Sequence, residues 1–524
     1  MPVELLKDTL ATDITIAEDT AQAIIEGDIL VPDIKPDISR VISVDGTIQV
    51  NKLEAGENKL TTEGSIKFKI LYVSDRGDAA LYSIDSSTAF KQTMNLEGMN
   101  NQTLAKVDAV IEHIDYTINN ERKVGVKAVI NLKATGKMKR QKEITREITG
   151  LEDIQVLREN FNYTEVIGQA TSETLVKDTY ELSEDLPGIR EVINWRATAV
   201  ERETKITDGK VIVGGIMNIE LLYIADDYDG TLNIFKESIP FTHFVEIDRA
   251  QSDMKYLLKL EVPEVYTSIK ENLQGEEKVL EVEAITKIGV KVINNITREF
   301  VVDAYSPSKK IKIKKDSIDF KENIGMNRSH VMLRETIDIP NSMPSIAKVF
   351  SASAKPILSD YSIVDDKAVI EGILEASIIY LAEEGDLPIY SIRQEVPFRH
   401  YVDVDGLKDN MSANIDLYTE EVTFEQINGQ QVDIKINVGA ACEGYLNKTI
   451  EVVNEILELE EEAVNTNKPS LTIYYIQPGD TLWKIAKKYR TTVERLMASN
   501  TLENSLNIKV GDYLLIEKVH HFKF

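Results

Sequence analysis

A regular alternation of apolar and polar residues marks the stretch Gly64–Val73. In this stretch Ile66, Phe68, Ile70 and Tyr72 occupy every second position. Side chains two residues apart lie on the same face of a β-strand. The pattern therefore predicts a strand with one buried face.

The same strand pattern occurs twice more, at Gly215–Ile224 and at Gly372–Leu381. Each copy keeps a Gly and a Tyr eight residues apart, and a Pro stands 28 residues before each Gly, at Pro36, Pro187 and Pro344. Agreement at fixed spacing over such distances indicates an internal repeat.

The repeat extends beyond the strand. Pro187 lies 151 residues after Pro36, Pro344 lies 157 residues after Pro187, and the same offsets relate Phe90 to Phe241 and Phe398; the prolines also share a Pro-x-Ile-x-x-Val pattern. A unit of about 150 residues has the size of a domain with its own core. We therefore predict three repeats at 1–150, 151–306 and 307–460, an acidic linker at 461–470 and a different module at 471–517.

Strand signals outnumber helix signals within each repeat. Thr47–Val50, Gly64–Val73 and Val124–Leu132 alternate in the first repeat, and the last has counterparts in Val279–Ile288 and Val432–Val438. Turn residues separate these segments. We predict a mainly β protein of three tandem homologous antiparallel β domains, each either a sandwich or an open barrel.

The tail after Pro469 fits none of the three repeats. A short strand around Ile473 is followed by a turn at Gly479 and Asp480, with Asp480 as the cap of a first helix. Four residues of that helix share one face. They are Leu482, Ile485, Ala486 and Tyr489.

A second helix and a final strand complete the tail. Thr491 and Glu494 have the spacing of a capping box. The helix that follows would bury Val493, Leu496 and Met497, and a turn then leads into a strand that ends near Ile516. The sequence therefore predicts a small βααβ module.

Composition limits the kind of partner. The 524 residues carry a formal net charge of −27, which argues against nucleic acid as the principal ligand. Although the chain as a whole is acidic, the tail from Leu471 to Phe524 is basic, with eight Lys and Arg against five Asp and Glu. A basic module on an acidic chain can be steered towards an acidic partner.

The chain lacks the signals of secretion and of membrane insertion. Its first residues contain neither a basic start nor an apolar core, and no run approaches the about 18 apolar residues that cross a bilayer. The single cysteine, Cys442, excludes an intramolecular disulfide, and its position in a strand predicts a buried small hydrophobe. We expect a cytoplasmic protein with no integral membrane segment.

Residues with catalytic potential form no recognisable motif. The six His residues have no metal-ligand spacing, and no phosphate-cradling loop or Gly-x-Ser-x-Gly elbow occurs. His243 and His400 share a repeat position that holds Gln92 in the first repeat, which predicts a structural hydrogen bond. The 87 Asp and Glu leave a paired-carboxylate site open. We predict no enzyme activity, no cofactor and no metal.

The stretch Lys309–Lys315 alternates Lys with Ile. A solvated strand edge explains this alternation more simply than a binding patch does.

The tail resembles the LysM domain. The elements Gln-Pro-Gly-Asp-Thr-Leu-Trp, Ile-Ala, Leu-x-x-x-Asn and Val-Gly-Asp occur in order between Gln477 and Asp512. LysM modules bind N-acetylglucosamine-containing glycans, and the resemblance implies a shallow groove between two loops. The implied groove residues are Gly479, Asp480, Thr481, Leu482, Trp483, Leu506, Asn507, Ile508 and Lys509.

Each groove residue also has a purely structural interpretation. Gly479 can serve only the turn and Asp480 only the cap, while Leu482 fits the core better than the groove. Trp483 lies beside the buried stripe of the first helix, where its ring either packs or forms an exposed platform. An exposed Trp at that place could anchor a partner.

The whole chain resembles the SPOCS-domain spore-coat morphogenetic proteins of clostridia, through the three acidic β repeats, their Pro-x-Ile and Gly-to-Tyr patterns and the C-terminal LysM motif. The resemblance implies that the LysM domain binds the coat-basement ATPase scaffold protein at the forespore surface, in the mother-cell cytoplasm, and that the protein helps the coat encase the spore. Other coat proteins, or the chain itself, are further implied partners, and the family has no catalytic residues. The alternative is a LysM protein that binds peptidoglycan or N-acetylglucosamine in the cortex or cell wall.

Overall fold

Six antiparallel strands build each repeat in the computed structural model, which describes residues 3–77, 79–228, 230–384, 388–459, 471–502 and 508–517. The first repeat contains β1 (Glu4–Leu30), β2 (Arg40–Gly56), β3 (Lys59–Val73), β4 (Tyr82–Asn95), β5 (Leu104–Asn120) and β6 (Lys123–Thr149). The second contains β7 (Gln155–Glu181), β8 (Ile189–Thr207), β9 (Lys210–Ala225), β10 (Leu232–Glu246), β11 (Lys255–Lys270) and β12 (Val279–Tyr305). The third contains β13 (Ile311–Asp338), β14 (Ile346–Val364), β15 (Lys367–Ala382), β16 (Ile389–Asp403), β17 (Ser412–Asn428) and β18 (Gln431–Glu458).

Each repeat folds as two three-stranded sheets. In the first repeat the sheet orders are β2-β3-β4 and β1-β6-β5, and the other two repeats have the same orders. One core lies between the two sheets, since Ile66 and Phe68 of β3 share a cluster with Val126 and Ile130 of β6. The three antiparallel β domains are confirmed, and the two separate sheets show that each is a sandwich.

The Gly and Tyr of the repeated strand have clear structural reasons. Tyr72 is fully buried, and its hydroxyl donates a 2.9 Å hydrogen bond to the carbonyl of Pro36. Tyr380 makes the same bond to Pro344 at 3.0 Å, and burial raises its pKa to about 12. Tyr223 takes the equivalent place on β9, opposite Val192. In the first and third repeats the spacing of Pro and Tyr therefore reflects a hydrogen bond from the Tyr to the segment before the neighbouring strand.

The repeated Gly accommodates an aromatic ring on the neighbouring strand. Gly215 pairs with Phe241, and a Cβ at Gly215 would lie 2.5 Å from the ring and 2.9 Å from the carbonyl oxygen of Val200. Gly64 and Gly372 face Phe rings in the same way. The repeated spacing of Gly and Phe thus reflects a close contact that leaves no space for a side chain at the Gly position.

The three repeats pack against one another through equivalent residues. One apolar cluster takes side chains from all three sandwiches. Its sets of equivalent residues are Leu71, Leu222 and Ile379; Leu81, Leu232 and Ile389; and Ile42, Ile193 and Phe350. A second shared cluster contains Leu10, Phe161 and Ile318. The repeats therefore pack around apolar clusters to which all three contribute.

Polar contacts cross the same boundaries. Arg196 of the second repeat donates to the carbonyl of Ala352 in the third at 2.7 Å, and Lys35 of the first pairs with Glu191 of the second at 2.9 Å. Local sequence patterns do not reveal these pairs, because the members of each pair are 156 residues apart in the chain.

Two local predictions are confirmed. Ile311 and the residues after it belong to β13, an edge strand of its sheet, where Lys314 pairs with Glu455 at 3.6 Å. Cys442 is buried in β18, and burial raises the pKa of its thiol to about 11. The predicted linker at 461–470 lies outside the described residues, and the division into domains at 150, 306 and 460 stays a prediction.

Candidate binding surface of the C-terminal module

The module after the linker has the predicted βααβ order. It consists of β19 (Leu471–Tyr475), α1 (Leu482–Tyr489), α2 (Val493–Ser499) and β20 (Tyr513–Glu517), with β19 and β20 antiparallel. Its core is small. In the described part of the module the buried apolar residues are Ile476, Leu482, Ile485, Ala486, Leu496, Leu514 and Ile516.

The turn before α1 is held by its own polar groups. The carboxylate of Asp480 accepts from the hydroxyl of Tyr474 at 2.7 Å and from the amide of Gln477 at 2.8 Å. The bond from Gln477 is the main reason that the pKa of Asp480 lies below its usual range, and the bond from Tyr474 adds to it. Thr481, not Asp480, caps α1 by accepting from the amide of Lys484. The predicted cap was therefore one residue too early.

The predicted cap of α2 was also one residue too early. Thr492 accepts from the amide of Arg495 and is the N-cap, whereas Thr491 is buried. The two threonines are adjacent, so the sequence pattern alone could not separate them.

The predicted groove residues differ in accessibility. Gly479 has a φ of +82° with open space where a Cβ would lie, and Lys509 is exposed. Leu482 is buried in the core, and Ile508 packs partly against it. Leu506 and Asn507 lie outside the described residues. Gly479, Thr481 and Lys509 therefore offer accessible groups, whereas Leu482 supports the loop from below.

Trp483 makes a contact that neither interpretation of the sequence included. Its indole packs edge-on against Tyr305 of the second repeat, with 4.9 Å between ring centroids. The indole N–H donates to the carboxylate of Asp303 at 2.8 Å. Trp483 is thus partly covered by a neighbouring domain.

An exposed apolar face lies on the strand pair of the module. Leu471, Ile473 and Tyr475 alternate along β19 and are each at least half exposed, and Tyr513 of β20 lies opposite Tyr475 at 62% exposure. Contiguous exposed apolar residues on a small module are typical of an interaction surface. The period-two pattern in β19 was the available signal, although it does not say which face meets solvent.

The recurring histidine position is structural. His243 shares a 2.8 Å hydrogen bond with Ser172, and His400 shares one of 2.6 Å with Ser329. Burial lowers the pKa of His400, and electrostatic repulsion from the neighbouring His330 side chain adds to this. Within the described ranges, no three His, Cys, Asp or Glu side chains are grouped to hold a metal ion.

None of the helices in the described part of the chain is long and apolar enough to cross a membrane.

Comparison with known proteins agrees with this architecture. The family model described as SipL, SPOCS domain matches residues 37–119, 188–270 and 345–427, and the LysM domain model matches residues 474–517. Each SPOCS match covers the second to fifth strands of a repeat. The first and sixth strands, which lie outside the match, complete the sandwich.

Comparisons of the whole chain add little. No curated protein matches it. Among solved structures, a BenF-like porin from Pseudomonas fluorescens Pf-5 is similar at 7% identity over 83% of this chain and 98% of that one, with a TM-score of 0.11. A likeness at that level carries no argument.

The two domain families limit the functions that fit this protein. Both are families of non-catalytic binding domains. Together they fit a sporulation protein with a peptidoglycan- or glycan-binding module. The chain is a SPOCS-domain protein, with three SPOCS repeats followed by a C-terminal LysM domain.

Proposed function

We propose that this chain is a non-enzymatic spore-coat morphogenetic protein that binds the coat-basement ATPase scaffold through its LysM domain and helps the coat encase the forespore. It would act in the mother-cell cytoplasm, at the forespore surface. The observation that carries the proposal is the domain order, three SPOCS repeats and then one LysM domain. The proposal assigns no catalytic residue.

The binding site of this proposal is the predicted LysM groove at 479–483 and 506–509. Gly479, Thr481 and Lys509 are exposed there, while Asp480 fixes the turn through its bonds to Tyr474 and Gln477. Charge supports a protein partner with an acidic surface, because the tail is basic while the chain as a whole carries −27.

Deletion of residues 470–524 is the direct test. Imaging of sporulating cells should show SPOCS repeats that are still made but a coat displaced from the forespore. A coat that still surrounds the forespore would reject the LysM domain as the attachment site. Expression confined to the mother cell is also expected, and vegetative, wall-associated expression would overturn the coat role.

Single substitutions locate the binding surface more closely. In the full-length chain, Lys509→Glu should weaken binding to the purified scaffold protein because it reverses a charge at the groove. Lys139→Glu is the matched control, since it makes the same change at an exposed position of β6. Equal binding by both variants would move the site away from the groove.

Trp483→Glu should also weaken binding, by about thirty-fold if Trp483 is an anchor of the interface. Circular dichroism must show that the LysM domain stays folded in this variant. If the LysM domain of Trp483→Glu is unfolded, Trp483 belongs to the core. The loss of binding would then give no information about the groove.

The LysM match itself favours a second function, binding of N-acetylglucosamine-containing glycan in the cortex or cell wall. Isothermal titration of the full-length chain with a chitin oligosaccharide tests it. Binding that Lys509→Glu abolishes, together with no binding to the scaffold protein, would favour the glycan over the coat partner.

A further inference from the structure

One side chain of the second repeat is part of the LysM core. Tyr305, the last residue of β12, is only 4% exposed and belongs to the same apolar cluster as Leu482, Ile485 and Leu496. Its hydroxyl donates a buried 2.9 Å hydrogen bond to the carbonyl of Thr491. The second repeat therefore contributes both an apolar ring and a hydrogen bond to the LysM domain.

A carboxylate two residues earlier makes the contact specific. Asp303 accepts from the indole N–H of Trp483 at 2.8 Å and from the ammonium group of Lys487 at 2.5 Å. Its side chain is only 15% exposed, so the pair with Lys487 is partly shielded from solvent. Indole N–H groups only donate, and a carboxylate only accepts, so the three groups are chemically matched.

The other repeats lack the aromatic part of this contact. Strand pairing places Glu147 and Glu455 where the second repeat has Asp303, and places Thr149 and Leu457 where it has Tyr305. The acid thus occurs in all three repeats, whereas the Tyr occurs once. Thr149 and Leu457 are exposed, while Tyr305 is buried under the LysM domain.

We propose that β12 of the second SPOCS repeat carries a docking site for the LysM domain, with Asp303 and Tyr305 as its anchors, and that docking withholds Trp483 from other partners. The docking site stands on the contacts above. The withholding of Trp483 rests on the proposed function, in which Trp483 takes part in binding the scaffold protein.

Docking and partner binding then compete for one residue. A partner that needs Trp483 binds only the undocked fraction of the protein, so its apparent dissociation constant rises as that fraction falls. If about one molecule in ten is undocked, loss of the docking contact raises the apparent affinity by about tenfold. The SPOCS region would in this way regulate the LysM domain that it carries.

Tryptophan fluorescence of the full-length chain tests the docking. The only other Trp, Trp195, is replaced by Phe so that Trp483 alone reports. Tyr305→Ala should shift the emission to longer wavelength and increase quenching by acrylamide, because Trp483 loses its cover. Leu457→Ala, at the equivalent position of the third repeat, should change neither.

Asp303→Asn is a second fluorescence test of docking, in which the side-chain volume hardly changes. It removes the charge that holds Lys487, so it should increase acrylamide quenching by less than Tyr305→Ala does. Emission and quenching that stay at wild-type values in both variants would overturn the docking site.

Cross-linking tests the withholding of Trp483. The double substitution Asp303→Cys and Lys487→Cys provides two thiols that a reducible bismaleimide joins, and the one natural thiol, Cys442, is buried. The cross-linked chain should bind the purified scaffold protein at least about tenfold more weakly than the same chain after reduction, and Tyr305→Ala should bind more tightly than wild type. Equal binding before and after reduction would overturn the withholding. If no form of the chain binds the scaffold protein, the proposed partner fails, and fluorescence still decides the docking.

Discussion

The SPOCS region and the LysM domain are held in place by very different contacts. The three repeats bury equivalent residues of all three sandwiches in shared clusters, whereas the LysM domain meets the second repeat mainly through Asp303 and Tyr305. Apolar clusters shared by three domains hold the repeats together, while a contact of a few side chains can open and close. The SPOCS region is therefore suited to a structural role, and the LysM domain is suited to exchange partners.

The largest expected effect concerns the core of the small module. Ile485→Ala should cost about 2–5 kcal/mol, because Ile485 is 1% exposed in a core of only a few residues. A domain of this size has little stability to lose. Two-dimensional NMR of the full-length chain should show the LysM signals collapsed and those of the repeats unchanged. Loss of both sets would show that the repeats depend on the LysM domain.

Leu222→Ala makes the same kind of change in the body of the molecule. Leu222 is 4% exposed in the cluster that all three repeats share, so about 2–5 kcal/mol of unfolding free energy should be lost. Urea denaturation measures this loss. Leu186→Ala, at a position that is 38% exposed, should have little effect. An equal loss of unfolding free energy in Leu186→Ala would show that the shared cluster does not stabilise the protein more than an exposed position does.

Tyr72→Phe tests the hydrogen bond between Tyr72 and Pro36, two residues that recur in every repeat. The substitution leaves the carbonyl of Pro36 without its donor at little change in volume, and should cost about 1 kcal/mol. Tyr266→Phe, on an exposed side chain, is the control and should cost less. Equal unfolding midpoints for Tyr72→Phe and wild type would show that the bond adds nothing to stability.

The smallest expected effect is a dependence on pH at His400. Burial lowers the pKa of His400, so the folded chain favours the neutral imidazole. The contribution of His400 is complete above the unfolded pKa of about 6.5 and is lost as the pH falls below it, because the unfolded chain then binds more protons. His400→Gln, which introduces the residue of the first repeat, should flatten the decline in stability between about pH 7 and about pH 5. An unchanged slope would place the titrating group elsewhere.

The sequence predicted the parts of the fold that depend on local pattern. The alternation around Ile66 identified a strand, and its repetition identified three β domains, because period-two burial is visible within ten residues. Sandwich and barrel could not be separated, since strand pairing such as that of β1 with β6 joins the two ends of a repeat.

The candidate site was predicted less completely. The LysM motif located the turn at Gly479 and the small core, because these are local features. The caps were misplaced by one residue, since neighbouring Asp480 and Thr481 can both accept from a helix N-terminus. The partner of Trp483 could not be foreseen, because Tyr305 lies in another domain and carries no motif.

Leu71, Leu222 and Ile379 belong to one cluster, although all three come from a single chain. This affects how many copies of each domain an assembled molecule contains. A homotrimer would build such a centre from three identical chains and would carry three identical tails. Because three SPOCS units are here joined covalently to one LysM domain, each molecule brings these four units together without an assembly step. The joined units also need not be identical, and only the second carries Tyr305 where the others carry Thr149 and Leu457.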